Sequence, residues 1–403
     1  MSVVRLELAR GLARHIRAGH PWVFRRGLQQ APKIPPGSVV DLTEGGRFVA
    51  RGYYDPHSSI AVRVLTREER QRIDSAFFRA RIAEAWRLRQ ELLELTDTDS
   101  FRLVHGEADG LPGVVVDLYA GFAVLKLYSA GLTPYRPIVV AALEGAVPGL
   151  RGVLGRDELG RDDAEGDDES TGSARVLHGE KPPELIPIAE RSARFLVDAW
   201  RGQKTGFFLD QRENRSLIRR LARDRDVLNC FSFTGGFSVN AALGGARSVF
   251  SVDQDQDAVA LARENFARNE LPPEKYDFLA ADVFEVIASF RAEGRTFDLV
   301  ILDPPAFAKS QKAVQSAIDG YASLNRQALG VLRPGGLLAT ASCSARVSPE
   351  AFLGALKEAA YKAGVDLQLV EERYQPPDHP IRLQFPEGRY LKFYVLRAAA
   401  KPR

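Results

Sequence analysis

The second half of the chain alternates short apolar runs with amphipathic stretches, and this rhythm limits the possible folds more than any other feature. The runs are DVLNCF, SVFSVD, YDFLAAD, FDLVILD and GLLATAS, and a stretch with helical spacing follows each of them. Continuous apolar strands between helices are typical of a parallel sheet that is covered on both faces. Two more strands, DLQLVEE and YLKFYVL, come near the end. We therefore predict a doubly wound, mostly parallel α/β domain over residues 201–403.

Several helices of this domain have recognisable limits. One is predicted to begin at Ser348-Pro349, since serine caps helices and proline suits their first turn, and to end at Gly364. The apolar spacing predicts the others over residues 238–243, 258–269, 283–291 and 314–332.

The first half of the chain has a different pattern. Residues 1–73 hold short apolar runs between turn signals such as the PPG of residues 35–37, which predicts a small β-barrel. Residues 74–200 begin with a helix for which Ser75 is the expected N-cap, and the strands FRLVHGE, LPGVVVDLY and FAVLKLY follow. We predict an α+β middle domain there. Its acidic stretch, residues 156–173, has few apolar side chains and is predicted to be a loop.

Charge and cysteine content narrow the class of protein. The net charge is +3, but residues 1–75 carry +6 and residues 156–169 carry −6. A basic N-terminal region suits phosphate binding, although a solvated surface rich in arginine explains it equally well. The chain has two cysteines, no signal-peptide core and no run of about 20 apolar residues. We expect a cytoplasmic protein with no membrane segment, no disulfide framework and no metal site.

Glycines and acids follow consecutive predicted strands. Ligands of such sheets bind beyond the carboxyl ends of the strands, near the point where strand order reverses. Gly235 and Gly236 follow the first strand, where glycine lets the backbone approach a ligand. Asp253 ends the second strand and is placed to accept hydrogen bonds from ribose hydroxyls, and Asp282 ends the third and is placed to hold an adenine amino group. These residues predict a nucleoside-containing cofactor.

The fourth strand helps to choose between two such cofactors. It ends in Asp-Pro-Pro at residues 303–305, a sequence with no role in hydride transfer. A dinucleotide remains the alternative, because an acid that binds ribose also suits NAD. The loop after the first strand, however, reads TGGF and not G-x-G-x-x-G. S-adenosylmethionine is therefore the preferred cofactor.

The two cysteines are expected to differ in reactivity. Cys343 follows the fifth strand between two serines, opposite Asp303, and we interpret it as a nucleophile at the substrate. Cys230 lies within the first strand, where a buried and inert thiol is expected.

The motifs taken together resemble one known family. They are VLNCFSFTGGFSV, SVDQDQDA, DVFEV, LDPPAFAKS, RPGGLLATASCS and PDHPIRLQFPEGRYLK. The chain resembles, nearly end to end, the family of ribosomal RNA large subunit methyltransferase I, which makes 5-methylcytosine. HPWVFRRGL and FVARGYYDPHSSIAVRVL are similar to its N-terminal PUA domain, a small RNA-binding β-barrel. VHGEADGLPGVVVDLYAG and GQKTGFFLDQRENR are similar to its middle domain and to the segment that leads into the catalytic domain.

The resemblance implies a Rossmann-like class I methyltransferase domain, and it assigns roles to individual residues. Cys343 matches the nucleophile and Asp303 the motif of the target-base pocket, which Pro304, Pro305 and Phe307 extend. The cofactor-binding positions are Phe233, Thr234, Gly235, Gly236, Asp253 and Asp282. The arginines expected to contact RNA phosphates are Arg14, Arg17, Arg25 and Arg26. His379 and Lys392 also fit the family pattern, and for His379 a structural role is expected.

The resemblance implies methylation of C5 of a cytosine in ribosomal RNA of the large subunit, the 23S RNA. Two alternatives are another target atom and a protein without activity. Related enzymes that methylate guanine N7 share Asp-Pro-Pro but have Ser-Asn-Asn where this chain has Ser342-Cys343-Ser344. A non-catalytic RNA-binding factor needs neither Asp303 nor Cys343. Ribosomal RNA is the expected partner, and a homodimer is an assembly that the sequence allows.

Overall fold

The computed structural model describes residues 3–157, 173–308 and 311–399, and the chain divides into two compact units. Unit 1 consists of Met1–Ile188, Val197–Leu209 and Pro377–Gly388. Unit 2 consists of Ala189–Leu196, Asp210–Pro376 and Arg389–Arg403. The predicted division into three domains at residues 73 and 200 stays a prediction. The acidic stretch that we assigned to a loop lies outside the described residues, apart from its two ends, which belong to strands.

Unit 1 begins with a five-stranded sheet of order β1-β3-β4-β5-β2. Apolar side chains of these strands, among them Val40, Ala50 and Val62, form its core together with Ile16 of a short helix that we did not predict. The elements are β1 Val4–Glu7, α1 Ala13–Ala18, β2 Trp22–Phe24, β3 Val39–Glu44, β4 Arg47–Tyr54 and β5 Ile60–Thr66.

The next part of unit 1 combines two helices with a second five-stranded sheet of order β10-β9-β8-β7-β6. The helices are in contact with each other and share a buried core with the strands. The elements are α2 Ser75–Leu92, β6 Ser100–His105, β7 Val114–Tyr119, β8 Phe122–Leu127, α3 Arg136–Ala146, β9 Gly152–Asp157 and β10 Ser173–Gly179. A two-stranded sheet of β11 Ile186–Glu190 and β12 Ala193–Val197 follows.

Unit 2 contains a seven-stranded sheet of order β15-β14-β13-β16-β17-β19-β18. Strands β13 to β17 are parallel, and β19 runs antiparallel to both of its neighbours. The strands are β13 Asp226–Cys230, β14 Ser248–Asp253, β15 Asp277–Ala280, β16 Phe297–Leu302, β17 Leu332–Ser342, β18 Asp366–Arg373 and β19 Lys392–Ala399. The helices are α4 Arg212–Leu221, α5 Gly236–Leu243, α6 Gln256–Arg268, α7 Val283–Ala292, α8 Val314–Leu329 and α9 Pro349–Ala363. The predicted doubly wound domain is therefore confirmed.

Several helix limits differ from the prediction, and α5 and α6 each begin two residues earlier than predicted. The N-cap of α2 is Asp74 and not Ser75, because the Asp74 carboxylate accepts hydrogen bonds from the backbone N–H groups of Ala76 and Phe77. Helix α8 ends at Leu329 and not at residue 332, where strand β17 already begins. The predicted cap of α9 is correct, since the Ser348 side chain accepts from the Ala351 N–H.

Within the described part of the chain, no helix has the length and apolar character needed to cross a membrane.

Candidate active site

The ends of the parallel strands in unit 2 lie level with one another. Cys230 of β13 lies opposite Val252 of β14 and Leu302 of β16, and Leu302 lies opposite Thr340 of β17. The chain moves outward from β13 to β14 and β15, and then returns to β16 on the other side of β13. Strand order therefore reverses between β13 and β16, where such sheets bind their ligands. The predicted site residues follow these strand ends.

The loop between β13 and α5 has a backbone shape that depends on Asp253. Phe231 and Phe233 have positive φ angles of 59° and 47°, which side-chain-bearing residues rarely adopt. The Phe233 N–H donates a 2.7 Å hydrogen bond to Oδ2 of Asp253. Gly235, at φ 79°, is the N-cap of α5, and a Cβ there would lie 2.9 Å from the Cβ of Ala262. The loop therefore needs glycine at position 235, where its backbone makes a tight turn.

This loop fits a polar ligand. The side-chain oxygens of Ser232 and Thr234 are buried, and neither has a hydrogen-bond partner among the described residues. Oδ1 of Asp253 accepts from the Asp255 N–H at 3.0 Å. Burial raises the pKa of Asp253, while its backbone donors act in the opposite direction. The carboxylate thus combines a fixed position with further acceptor lone pairs, as binding to ribose hydroxyls requires.

Asp282 has a structural role that is compatible with the predicted one. Its Oδ1 caps helix α7 by accepting from the N–H groups of Phe284 and Glu285 at 2.8 and 3.1 Å. Its Oδ2 accepts no hydrogen bond from the described residues. One carboxylate oxygen therefore remains for a ligand such as an adenine amino group.

Asp303 is held by side chains that the sequence did not suggest. Nε2 of Gln211 donates a 3.0 Å hydrogen bond to Oδ1 of Asp303, and Nδ2 of Asn214 donates to Oε1 of Gln211 at 2.6 Å. Both amides are buried, at the beginning of α4. The only sequence signal for them was a polar run at a helix start, which is ordinary for any helix.

Cys343 lies just beyond the end of β17 and is partly exposed. Its Sγ is 3.9 Å from the carbonyl oxygen of Pro304. The two flanking serines are buried and both lie within hydrogen-bond distance of the Tyr321 hydroxyl, at 3.0 Å for Ser342 and 3.3 Å for Ser344. The serine contacts fix the backbone on either side of the Cys343 thiol. The thiol itself lies close to the segment that contains Asp303 and Pro304.

The remaining predicted pocket residues differ in exposure. Pro304 is buried, whereas Pro305 is exposed. The ring of Phe307 is partly buried and packs against Tyr321, with a distance of 4.7 Å between ring centroids. Phe307 thus supports the α8 helix beside the Cys343 segment.

The environment of Cys230 is the opposite of that of Cys343. Cys230 has no exposed surface and belongs to the hydrophobic core of unit 2. Burial raises the pKa of its thiol, because the apolar surroundings disfavour a thiolate. The expectation that Cys230 is buried is confirmed.

Lys392 is a site residue whose position was not foreseen. It has no exposed surface, and it lies opposite Ser342 in the pairing of β17 with β19. Its ammonium donates to the carbonyl oxygens of Ser344 and Tyr390. The sequence could not place it there, because the pairing of these two strands is non-local.

The residues predicted to contact RNA lie in unit 1, and all four are exposed. Arg17 forms an ion pair with Glu44 at 3.1 Å, and Arg25 donates to the carbonyl oxygens of Pro56 and Ser58. Arg14 and Arg26 have no hydrogen bond or ion pair with a described residue.

Two residues of the family motifs, one in HPWVFRRGL and one in PDHPIRLQFPEGRYLK, also belong to unit 1. Trp22 is partly buried, donates to Oε1 of Glu107 at 2.8 Å and packs against Phe385. His379 is buried beside His105, at 5.1 Å between ring centroids. This burial supports the structural role expected for His379.

Comparison with known proteins identifies the class to which this chain belongs. Residues 167–386 match the family described as S-adenosylmethionine-dependent methyltransferase, and residues 6–67 match the PUA-like domain. The chain is an S-adenosylmethionine-dependent methyltransferase with an N-terminal PUA-like domain, as predicted.

The particular family follows from a relative of nearly equal length. The chain is 40% identical over 394 residues to the ribosomal RNA large subunit methyltransferase I of Cronobacter sakazakii, a match that covers 97% of this chain and 98% of the relative. The chain therefore belongs to the family of ribosomal RNA large subunit methyltransferase I.

Solved structures share the fold of the whole chain. A putative S-adenosylmethionine-dependent methyltransferase from Streptococcus mutans superimposes with a TM-score of 0.86 at 24% identity, covering 98% of this chain and 100% of that one. A putative methyltransferase complexed with SAH gives a TM-score of 0.85 at 23% identity, covering 99% and 100%. At these identities the likeness shows the fold alone.

Proposed function

We propose that this protein methylates C5 of a cytosine in large-subunit ribosomal RNA, with Cys343 as the nucleophile. The class of RNA is the one for which the Cronobacter sakazakii relative is named. The observation that carries the choice of atom is the partly exposed Cys343 thiol, 3.9 Å from the carbonyl oxygen of Pro304 and thus beside the segment of Asp303.

A thiol is useful here because cytosine C5 is a poor nucleophile. Addition of the Cys343 thiolate to C6 forms a C–S bond and makes the adjoining ring atoms enamine-like, so that C5 becomes nucleophilic. Bound S-adenosylmethionine would supply the methyl group from its positively charged sulfur. The bond from C5 to the methyl group forms as the sulfur–methyl bond breaks, which leaves S-adenosylhomocysteine. Loss of the C5 proton to a base and elimination of the thiolate then break the C–S bond and restore the ring. The base is Asp303 or a water molecule.

Asp303 has a second role in this scheme. In its protonated form a carboxyl group directed at the base donates its proton to N3, where thiolate addition places negative charge, and its other oxygen accepts from N4. Such stabilisation requires a fixed carboxyl group, and the buried pair of Gln211 and Asn214 holds Oδ1 of Asp303. Guanine N7 has its own lone pair and needs no covalent adduct, so the thiol favours cytosine as the target.

The cofactor is assigned to the strand ends on the other side of the switch point. Residues 233–236 and the Asp253 carboxylate would hold its ribose and amino-acid parts, and Asp282 would hold its adenine amino group.

The arginines Arg14 and Arg26 of unit 1 bind RNA phosphates. A stacked cytosine has to leave its helix, or lie in a loop, before Cys343 reaches it. With this substrate, we expect the protein to act in the cytoplasm.

Methyl transfer with identification of the product tests this proposal. The purified protein is incubated with S-adenosylmethionine carrying a labelled methyl group and with ribosomal RNA from cells that lack the gene. The RNA is digested and its nucleosides are separated. We expect label in 5-methylcytidine for the native chain and none for Cys343→Ala.

Two results would contradict the proposal in different ways. Label in 7-methylguanosine would show a methyltransferase with another target atom. No label in naked RNA or in assembled subunits at any salt concentration would favour an RNA-binding factor without activity.

A further inference from the structure

Lys392 has an unusual environment for a lysine. It has no exposed surface, and its Nζ donates hydrogen bonds to the carbonyl oxygens of Ser344 at 2.6 Å and Tyr390 at 2.8 Å. No carboxylate among the described residues lies within ion-pair distance of this ammonium. A buried cation without an anionic partner is costly, so its presence calls for a compensating interaction.

The side chain that supplies such an interaction is Cys343. Lys392 contacts the residues on both sides of Cys343. It lies opposite Ser342 in the pairing of β17 with β19, and its ammonium donates to the carbonyl oxygen of Ser344. Burial lowers the pKa of Lys392 to about 8, and a negative charge on Cys343 acts in the opposite direction. The attraction between the two groups is mutual, because a thiolate favours the ammonium and the ammonium favours the thiolate.

We propose that Lys392 is a positioning residue that stabilises the thiolate form of Cys343 and holds the segment that carries it. The thiol loses its proton to water, and the ammonium keeps its own three protons. Two of them are bound by the carbonyls of Ser344 and Tyr390, so the cation stays beside the thiolate. The use of this thiolate in catalysis rests on the function proposed above, whereas the electrostatic effect does not.

Two other titratable groups near Cys343, Tyr321 and Asp303, do not supply this effect. Tyr321 of α8 is neutral, since burial and then a negative charge on Cys343 raise its pKa to about 12. Asp303, which precedes the Pro304 carbonyl, has the wrong sign because its carboxylate repels a thiolate. Of these three groups, Lys392 is the one whose positive charge favours the thiolate before the cofactor binds.

The pH dependence of thiol alkylation tests the proposal without reference to methyl transfer. The full chain without cofactor is treated with iodoacetamide over a range of pH, and the peptides of Cys343 and Cys230 are resolved by mass spectrometry. We expect the alkylation rate of Cys343 to have a midpoint below about pH 8.5, the value of an ordinary thiol. A wild-type midpoint at or above that value would contradict the proposal, whatever any variant does.

Variants separate the charge of Lys392 from its hydrogen bonds. Lys392→Met removes both, and Lys392→Gln removes the charge but retains two donors. We expect each of the two variants to raise the midpoint of Cys343 alkylation by about 1 pH unit or more, the usual effect of losing a nearby opposite charge. An unchanged midpoint in a variant whose thermal unfolding resembles that of the wild type would overturn the electrostatic role.

A matched control is available in Lys126, a buried lysine of β8 in unit 1. Lys126→Met is expected to leave the midpoint of Cys343 alkylation unchanged.

Methyl transfer by the Lys392 variants gives a second readout. Lys392→Gln should move the pH–rate profile of methyl transfer to higher pH. If alkylation shifts as expected but Cys343→Ala still makes 5-methylcytidine, the effect of Lys392 holds and the proposed nucleophile is wrong.

Discussion

The side chain of Gln211 donates a 3.0 Å hydrogen bond to Oδ1 of Asp303, and Asn214 in turn holds Gln211 at 2.6 Å. Both amides are buried. If one of them is removed, bulk water therefore does not readily replace its hydrogen bond. The two residues lie at the beginning of α4, far in sequence from Asp303, which directly follows β16. The orientation of the proposed pocket carboxylate thus depends on side chains outside the strand-end motifs.

Replacement of Gln211 should therefore impair chemistry. We expect Gln211→Ala to lower the rate of methyl transfer by about 10- to 100-fold, the cost of a small misplacement of a reacting group. The affinity for S-adenosylhomocysteine, measured by calorimetry, should change much less. Gln315→Ala, which removes an exposed glutamine of α8, is the control. Equal losses of rate in the two variants would show that Gln211 does not orient Asp303.

Asp253 should make cofactor binding sensitive to acid. Because burial raises its pKa, this carboxyl becomes protonated at a higher pH than an ordinary aspartate, whose pKa is about 3.9. Only the carboxylate accepts well from ribose hydroxyls, so the affinity for S-adenosylhomocysteine should fall as the pH falls through this raised pKa.

Two variants check this prediction by calorimetry. Asp253→Ala should weaken binding at pH 7 by about 1–3 kcal/mol and remove the acid-dependent loss. Asp257→Ala, which removes an exposed carboxylate four residues later, should bind like the wild type. A pH profile that is the same in Asp253→Ala and in the wild type would rule out Asp253 as the titrating group.

The two cysteines should respond differently to serine. Cys230→Ser places a hydroxyl in the core, and we expect it to lower the free energy of unfolding by about 1–3 kcal/mol while methyl transfer continues. Cys343→Ser should abolish methyl transfer and leave cofactor binding intact, since a hydroxyl is far less nucleophilic than a thiolate. Denaturant unfolding and methyl transfer measure the two effects. Loss of transfer in a folded Cys230→Ser protein would reverse the assignment.

Arg14 and Arg26 should contribute to RNA affinity through phosphates. Each lost phosphate contact lowers the slope of log affinity against log salt by about 0.7 for single-stranded RNA. We expect the double variant Arg14→Ala/Arg26→Ala to bind RNA more weakly and with a smaller slope, and to bind S-adenosylhomocysteine normally. Arg223→Ala, an exposed arginine of unit 2, should keep the wild-type slope. An unaltered slope in the double variant would exclude these two contacts.

The sequence predicted the parts of the site that depend on local patterns. Gly235, Asp253 and Asp303 could be recognised because they follow apolar runs that form parallel strands, whose carboxyl ends meet at one edge. The loop after β13 also needed a glycine in a left-handed conformation, which is a local requirement.

The residues that support the site depend on non-local pairing. Lys392 lies beside the Cys343 segment because β19, and not β18, is the neighbour of β17. The partnership of Gln211 with Asp303 depends on where the start of α4 packs. In the same way, residues 377–388 belong to unit 1 by their contacts, although the chain on both sides of them belongs to unit 2. Periodicity and turn signals carry no information about such contacts.

A covalent trap tests whether Cys343 adds to cytosine. RNA with 5-fluorocytosine at the target position is incubated with S-adenosylmethionine and the full chain, because fluorine cannot leave C5 as a proton does. We expect wild type and Cys230→Ala to form a stable protein–RNA adduct, with the RNA attached to the peptide of Cys343 in mass spectrometry. An adduct formed by Cys343→Ala but not by Cys230→Ala would contradict the assignment of the nucleophile.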